Sequence, residues 1–288
     1  MLSFDVEEYF HCEAFRGVIA SDGAADWPSR IDGQMDKVLG LLAETDARAT
    51  FFVLGRVAVG HPRLVRRIAD AGHEIACHGH SHQMVARLSE EGFRQDTRVA
   101  KVLLEDITGH RVLGYRAATF GLVRRTAWAI DILAELGLEY DSSVQPVRHD
   151  RYGVPEAPPQ AHLARGPGGG EILEVPPMTR RFAGQNIPLG GGGYFRLLPV
   201  VVFDRALHAW SRAGRPAMLY LHPWEFDPDQ PVVPASWLDN FRHRVNLNHT
   251  AGKLRSLLAG HAFSPVRELL GELRSAAARF EYAESAHS

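Results

Sequence analysis

Short apolar, β-branched runs alternate with segments of helical period along this 288-residue chain, and no other feature restricts its fold so much. Leu2 to Val6 reads as a first strand ending in acids, and Ile31 to Glu44 repeats its apolar residues at the helical period. Ala49 to Leu54 is a buried strand closed by Gly55, and Pro62 opens a helix that Gly72 stops. His73 to Cys77 is the next strand. Ser89 caps a helix to about Ile107, Val112 to Tyr115 is strand-like, and Thr126 to Leu136 is helical. Leu138 to Tyr140, Ile172 to Val175 and Ala217 to Leu221 complete the strands, with a helix from Val200 to Ala213 between the last two. Helices near Trp237 to Arg244, Ala251 to Leu258 and from about Pro265 end the pattern. Such alternation calls for parallel strands and right-handed crossovers, in an open sheet or a barrel. Residues 144–170, rich in Pro, Gly and Arg, read as a surface excursion, and Gly190 to Gly193 as a loop where backbone approaches a ligand. No linker or repeat divides the chain. One domain over 1–280 is expected, with a frayed tail over 281–288.

Composition narrows the partners. A hydrophobic fraction of 45%, a charged fraction of 23% and a formal charge of −2 belong to an ordinary globular protein. No basic block stands out, which argues against nucleic acid. No run approaches the roughly 20 apolar residues that span a bilayer. The first residues lack the pattern of a signal peptide. Cys12 and Cys77 are too few for a disulfide framework, and Cys77 reads as a buried free thiol, so a cytoplasmic location is expected.

Chemistry-bearing residues fall where the strands end. Asp5, His78, Arg116, Asp141 and His222 all lie at or just past carboxyl ends, the place where barrels of this kind gather their site. His78 and His82, four apart, would aim at one point from a helical turn or a helical loop, with His80 directed elsewhere. Two histidines and a carboxylate form a common catalytic set for a divalent ion. Asp5 and Glu7 share one side of an extended segment, so one could bind metal while the other takes a proton; a solvated acidic turn is the bland alternative. His222 suits a general acid near neutral pH, Asp141 would orient it, and Arg116 would keep the base ionised. Phe120, Tyr194 and Trp224 are candidates for stacking on a sugar face, with core packing an equal or better account of each.

These residues resemble, in order, five motifs of the polysaccharide deacetylases with a NodB-type domain, the carbohydrate esterase family 4 group. The motifs are Ser3-Phe4-Asp5-Val6-Glu7, Gly72 to His82, Gly114 to Phe120, Tyr140 to Ser143 and Leu221-His222-Pro223. The resemblance implies a distorted (β/α) barrel of about seven parallel strands with a C-terminal helical extension from about residue 225. It also implies Asp5 as base, His78 and His82 as metal ligands, His222 as general acid, and Arg116 and Asp141 as their orienting partners. The third ligand would be Glu7, with Glu8 as the fallback, because Val6 stands where the family has a second Asp. Ala118 replaces a usual Pro in the third motif. The segments Asp5 to His11, Gly191 to Arg196 and His222 to Glu225 are similar to a subgroup found near exopolysaccharide and exosortase loci. The implied activity is metal-dependent N-deacetylation, with zinc the first choice of ion, of an amino-sugar glycan or lipid-linked sugar precursor in surface-glycan synthesis. Hydrolysis of a small cyclic amide or ureide, and an inactive glycan-binding relative, are the alternatives.

Overall fold

The computed structural model describes residues 1–19, 27–149 and 152–283. Its first half follows the alternation closely. Strand β1 (Leu2–Val6) leads to helix α1 (Ile31–Ala43), then β2 (Thr50–Val53), α2 (Gly55–Gly60), α3 (Pro62–Asp70) and β3 (Glu74–Cys77). Helix α4 (Glu90–Thr108) starts where the Ser89 hydroxyl accepts from Gly92 N at 3.0 Å and stops at Gly109, whose φ of 72° suits glycine. Strand β4 (Gly114–Tyr115), helix α5 (Trp128–Glu135) and strand β5 (Tyr140–Asp141) follow.

The second half is less regular. It holds β6 (His162–Arg165), β7 (Glu171–Glu174), the hairpin of β8 (Thr179–Phe182) and β9 (Gln185–Pro188), then α6 (Gly192–Leu197), α7 (Val200–Arg212) and β10 (Leu219–Leu221). Helices α8 (Trp237–Arg244), α9 (Leu247–Gly260) and α10 (Val266–Ala276) precede β11 (Arg279–Glu281). Among the described residues the main sheet runs β10-β1-β2-β3-β4-β5-β7-β6-β11. From β10 to β7 its seven strands are parallel, as expected; β6 is antiparallel to β7. The segment after β7 bends toward the opposite edge: Val175 N donates to Asp141 O at 2.8 Å, and Met178 N to Met218 O at 2.9 Å. That crossing curls the sheet into a distorted barrel.

Strand alternation sorts the core. Phe51 points outward, stacked on Phe4 beneath the helices, while Phe52 points inward with Ala76, Tyr140, Leu173 and Met218. Val266 and Leu273 of α10 join that inner cluster. The amide N–H groups of Val266 and Arg267 donate to Thr50 and Glu74, so the C-terminal extension closes the amino end of the barrel.

Three expectations need correction. The excursion over 144–170 is not a surface loop: it contains β6, and Val144, Val147, Val154 and Ala157 are buried. Its Pro and Gly residues hid a strand that pairs within the sheet. The chain is also not frayed from 281, because β11 pairs with β6 and the buried Tyr282 hydroxyl lies 2.7 Å from His162 Nε2. Residues 284–288 of that expected tail lie outside the described residues. At Gly191, the close approach is to β10: an added Cβ would lie 1.8 Å from Tyr220 O.

Candidate metal and acid-base centre

The carboxyl ends of β1, β3, β4 and β10 bring the site together. His78 follows β3, and its Nδ1 lies 2.8 Å from Arg116 O, which fixes the proton there and leaves the Nε2 lone pair for a cation. The turn to His82 is not helical. Gly79 and His82 take φ of 73° and 56°, and Asp96 of α4 holds the loop by accepting from His80 N at 2.7 Å, Ser81 N at 3.1 Å and the Ser81 hydroxyl at 2.5 Å. His80 is turned toward Gly55, away from the other two rings.

Glu7 completes the group. One ligand atom each from Glu7, His78 and His82 lies within 4.8 Å of the others, and His82 Nε2 is 2.5 Å from Glu7 Oε2. Burial works against the Glu7 carboxylate, but the three histidines outweigh it and hold it below the usual carboxylate range. This donor set, buried and with one His tautomer fixed, fits a divalent ion of the zinc class. Glu8 turns away to the start of α1, where Ser29 Oγ and Arg30 N donate to it, so the fallback carboxylate is not with the histidines. A second His/Asp group, Asp204, His208 and His261, sits half-exposed between α7 and the end of α9. There His208 Nδ1 is already engaged by Asp204 O at 2.9 Å.

Asp5 faces the same space. Its Oδ1 accepts from Arg116 at 2.6 Å, and that fully buried guanidinium also donates to the Ser3 and Ser142 hydroxyls and to Ser142 O. Phe52 lies under the guanidinium at 4.0 Å. His222 Nε2 stands 3.9 Å from Asp5 Oδ2 and 3.7 Å from Glu7 Oε1, which places the expected acid beside the expected base.

The partner of His222 is a correction. Its Nδ1 meets Glu225 Oε1 at 2.9 Å, and Glu225 Oε2 lies 2.8 Å from Arg196 Nε. Asp141 does not orient the imidazole. It accepts from the Ser143 hydroxyl at 2.5 Å and is paired in register with Glu174 of β7; burial raises both carboxyls, Glu174 the further. The Ser143 oxygen in turn accepts from Ala117 N at 2.7 Å, so this pair supports the strand end that carries Arg116. Burial alone would depress His222, yet Glu225, Glu7 and Asp5 raise it above its ordinary value. Glu225 is held low by Arg196 and His222 against its own burial.

The aromatic candidates divide. Trp224 is buried, stacked between His222 at 4.9 Å and His243 at 4.1 Å, and Phe120 is buried against Tyr220. Neither presents a free face. Tyr194 is 43% exposed and remains available. Sequence reasoning had the spacing that reveals Glu225, three residues after His222 across Pro223, but Arg196 and Asp96 carried no such signal.

Residues 25–140 match the polysaccharide deacetylase family model, and residues 142–271 match a domain of unknown function, DUF3473. The site draws Asp5 and Glu7 from ahead of both, His78, His82 and Arg116 from the first, and His222, Glu225 and Arg196 from the second. A peptidoglycan-N-acetylglucosamine deacetylase of Bacillus cereus is 35% identical over 26% of this chain and 27% of its own. A chitooligosaccharide deacetylase of Sinorhizobium fredii is 30% identical over 41% of this chain and 54% of its own. The chain thus spans about a quarter to a half of these relatives. In fold it is similar to a Mycobacterium smegmatis protein assigned as a polysaccharide deacetylase, with a TM-score of 0.62 and 22% identity over 95% of this chain and 90% of the other. An allantoinase structure gives a TM-score of 0.61 and 15% identity over 96% and 91%. Over residues 25–140 the chain is thus similar to the polysaccharide deacetylases, and over nearly its whole length its fold is similar to that of a protein assigned to them.

Proposed function

We propose that this protein is a metal-dependent N-deacetylase of an N-acetylated amino sugar in bacterial exopolysaccharide or other surface-glycan synthesis. The observation that carries the reading is the meeting of Asp5, Glu7 and His222 within 4 Å beside His78 and His82. A divalent ion held by Glu7, His78 and His82, with zinc the first choice, would supply an acidified water and a Lewis acid for the acetyl oxygen. Asp5, held through Oδ1 by Arg116, accepts a proton from the attacking water at Oδ2. His222, held by Glu225 through Nδ1, carries a proton on Nε2 and gives it to the leaving amine. Tyr194, exposed on α6, offers a ring to the sugar.

The names of the relatives support N-acetylglucosamine-containing glycans as the substrate class. The exopolysaccharide setting and the lipid-linked form of the substrate are supported by the likeness of Asp5 to His11, Gly191 to Arg196 and His222 to Glu225 to that subgroup. A cytoplasmic location is supported by two free cysteines, one buried. No helix among the described residues is long and apolar enough to cross a membrane. The test is bound metal and acetate release from N-acetylglucosamine oligomers, for the parent protein, His78→Ala and Asp5→Ala. The reading requires metal loss in the first variant and metal-replete inactivity in the second. Full metal in His78→Ala, or full activity in Asp5→Ala, would overturn it. Turnover of a cyclic ureide without acetate release would move the assignment to the alternative chemistry.

A further inference from the structure

The β8–β9 hairpin and the second half of α7 frame a cavity of about 580 Å³ that shares no residue with the metal-ligand group. Arg180 and Arg181 of β8, Arg205 of α7 and Arg215 beyond it line this cavity. Arg215 lies on the amino side of β10 and His222 on its carboxyl side, so the cavity and the acid-base centre occupy opposite ends of one strand.

Four arginines lining one cavity stand out in a chain of formal charge −2. The acidic residue on the described lining is Glu156, and Arg124 from outside the cavity already holds it. Arg215 has a place in the fold, with its guanidinium 5.1 Å from the Trp210 ring centroid and just past the carboxyl end of α7. Arg180, Arg181 and Arg205 have none: all three are exposed and make no ion pair among the described residues. Like charges gathered on one wall repel, and an oxyanion with several charges relieves that repulsion through bidentate contacts.

We propose that this cavity is a second binding site, for a diphosphate-bearing ligand. A sugar carboxylate brings one charge and would leave most of the guanidinium groups unmatched. A diphosphate brings several charges within a few bonds. The apolar side of the cavity, formed by Pro158, Ala206, Ala209 and Trp210, receives the esterified group, whether a nucleoside or a lipid. The site stands whether or not the metal centre deacetylates a glycan.

Titration calorimetry of the full chain in metal-free buffer tests it, with inorganic pyrophosphate, UDP and farnesyl diphosphate as probes and glucuronate as the singly charged control. The three diphosphates are expected to bind and glucuronate not to, with affinity falling as salt is raised. Arg181→Ala/Arg205→Ala should weaken the diphosphates by at least about tenfold. Both side chains are exposed, so the thermal midpoint should hold. Glu7→Gln should bind pyrophosphate like the parent, because the site is separate from the metal centre. Tighter binding of UDP or farnesyl diphosphate than of pyrophosphate supports the apolar subsite and names the source. Absent binding, equal binding to parent and double variant, glucuronate binding of equal strength, or loss of binding in Glu7→Gln overturns the proposal.

Discussion

At the residue scale, the acid-base centre depends on side chains held by a partner behind them. Arg116 is fully buried and bonded on three sides, and its Nη1 is 2.6 Å from Asp5 Oδ1. Arg116→Met removes one member of a buried ion pair and leaves an uncompensated carboxylate, which costs about 3–5 kcal/mol. Urea unfolding of the variant checks this, and a loss under about 1 kcal/mol would mean that the pair is not held as described. Glu225→Gln keeps the shape at His222 Nδ1 but removes the charge that favours the imidazolium. The expected outcome is a kcat lower by about tenfold or more with unchanged KM and metal content, read from steady-state acetate release. Unchanged kcat would return the orienting role to another group.

At the element scale, the loop after β3 fixes the two metal-ligand histidines, and α4 fixes that loop. Asp96 accepts three hydrogen bonds from His80 and Ser81 while His78 and His82 stay clear of it. Asp96→Ala should therefore lower metal affinity by about 10–100-fold, measured by competition with a chelator. Native-level affinity would show that the histidines are placed by their own strand alone. The positive φ of His82 marks the same dependence, since a bulky residue keeps that conformation only where its surroundings impose it.

At the scale of the whole molecule, buried neutral histidines tie stability to pH. Burial lowers His162 to about 4 and His243 to about 3. Unfolded, each takes up a proton near 6.5, so below that pH the unfolded chain holds more protons than the folded one. Each unit of acid then costs about 1.4 kcal/mol per histidine until the folded value is reached. Thermal midpoints should fall as pH is lowered from about 6.5 toward 4, and His162→Gln should flatten that fall. A midpoint that stays level over this range would contradict the burial of these rings. His162 carries the closing contact of the chain, with Tyr282 reaching it from beyond β11, so acid acts on the edge where the C-terminus joins the sheet.

Local pattern along the chain sets the layers and the inventory of the site. Runs such as Thr50 to Val53 are buried on both faces and can be little but strands of a parallel sheet, and Asp5, His78, Arg116 and His222 end such runs, so their place at one rim follows from local pattern. Tertiary structure alone decided which neighbours those residues meet. Asp141 ends a strand as His222 does, but the order of strands sets it beside Glu174, whereas a turn three residues long brings Glu225 to His222. The same holds for Asp96 behind the histidine loop. Periodicity fixes the face a side chain takes, while its partner across the fold depends on chain crossings that no local window contains.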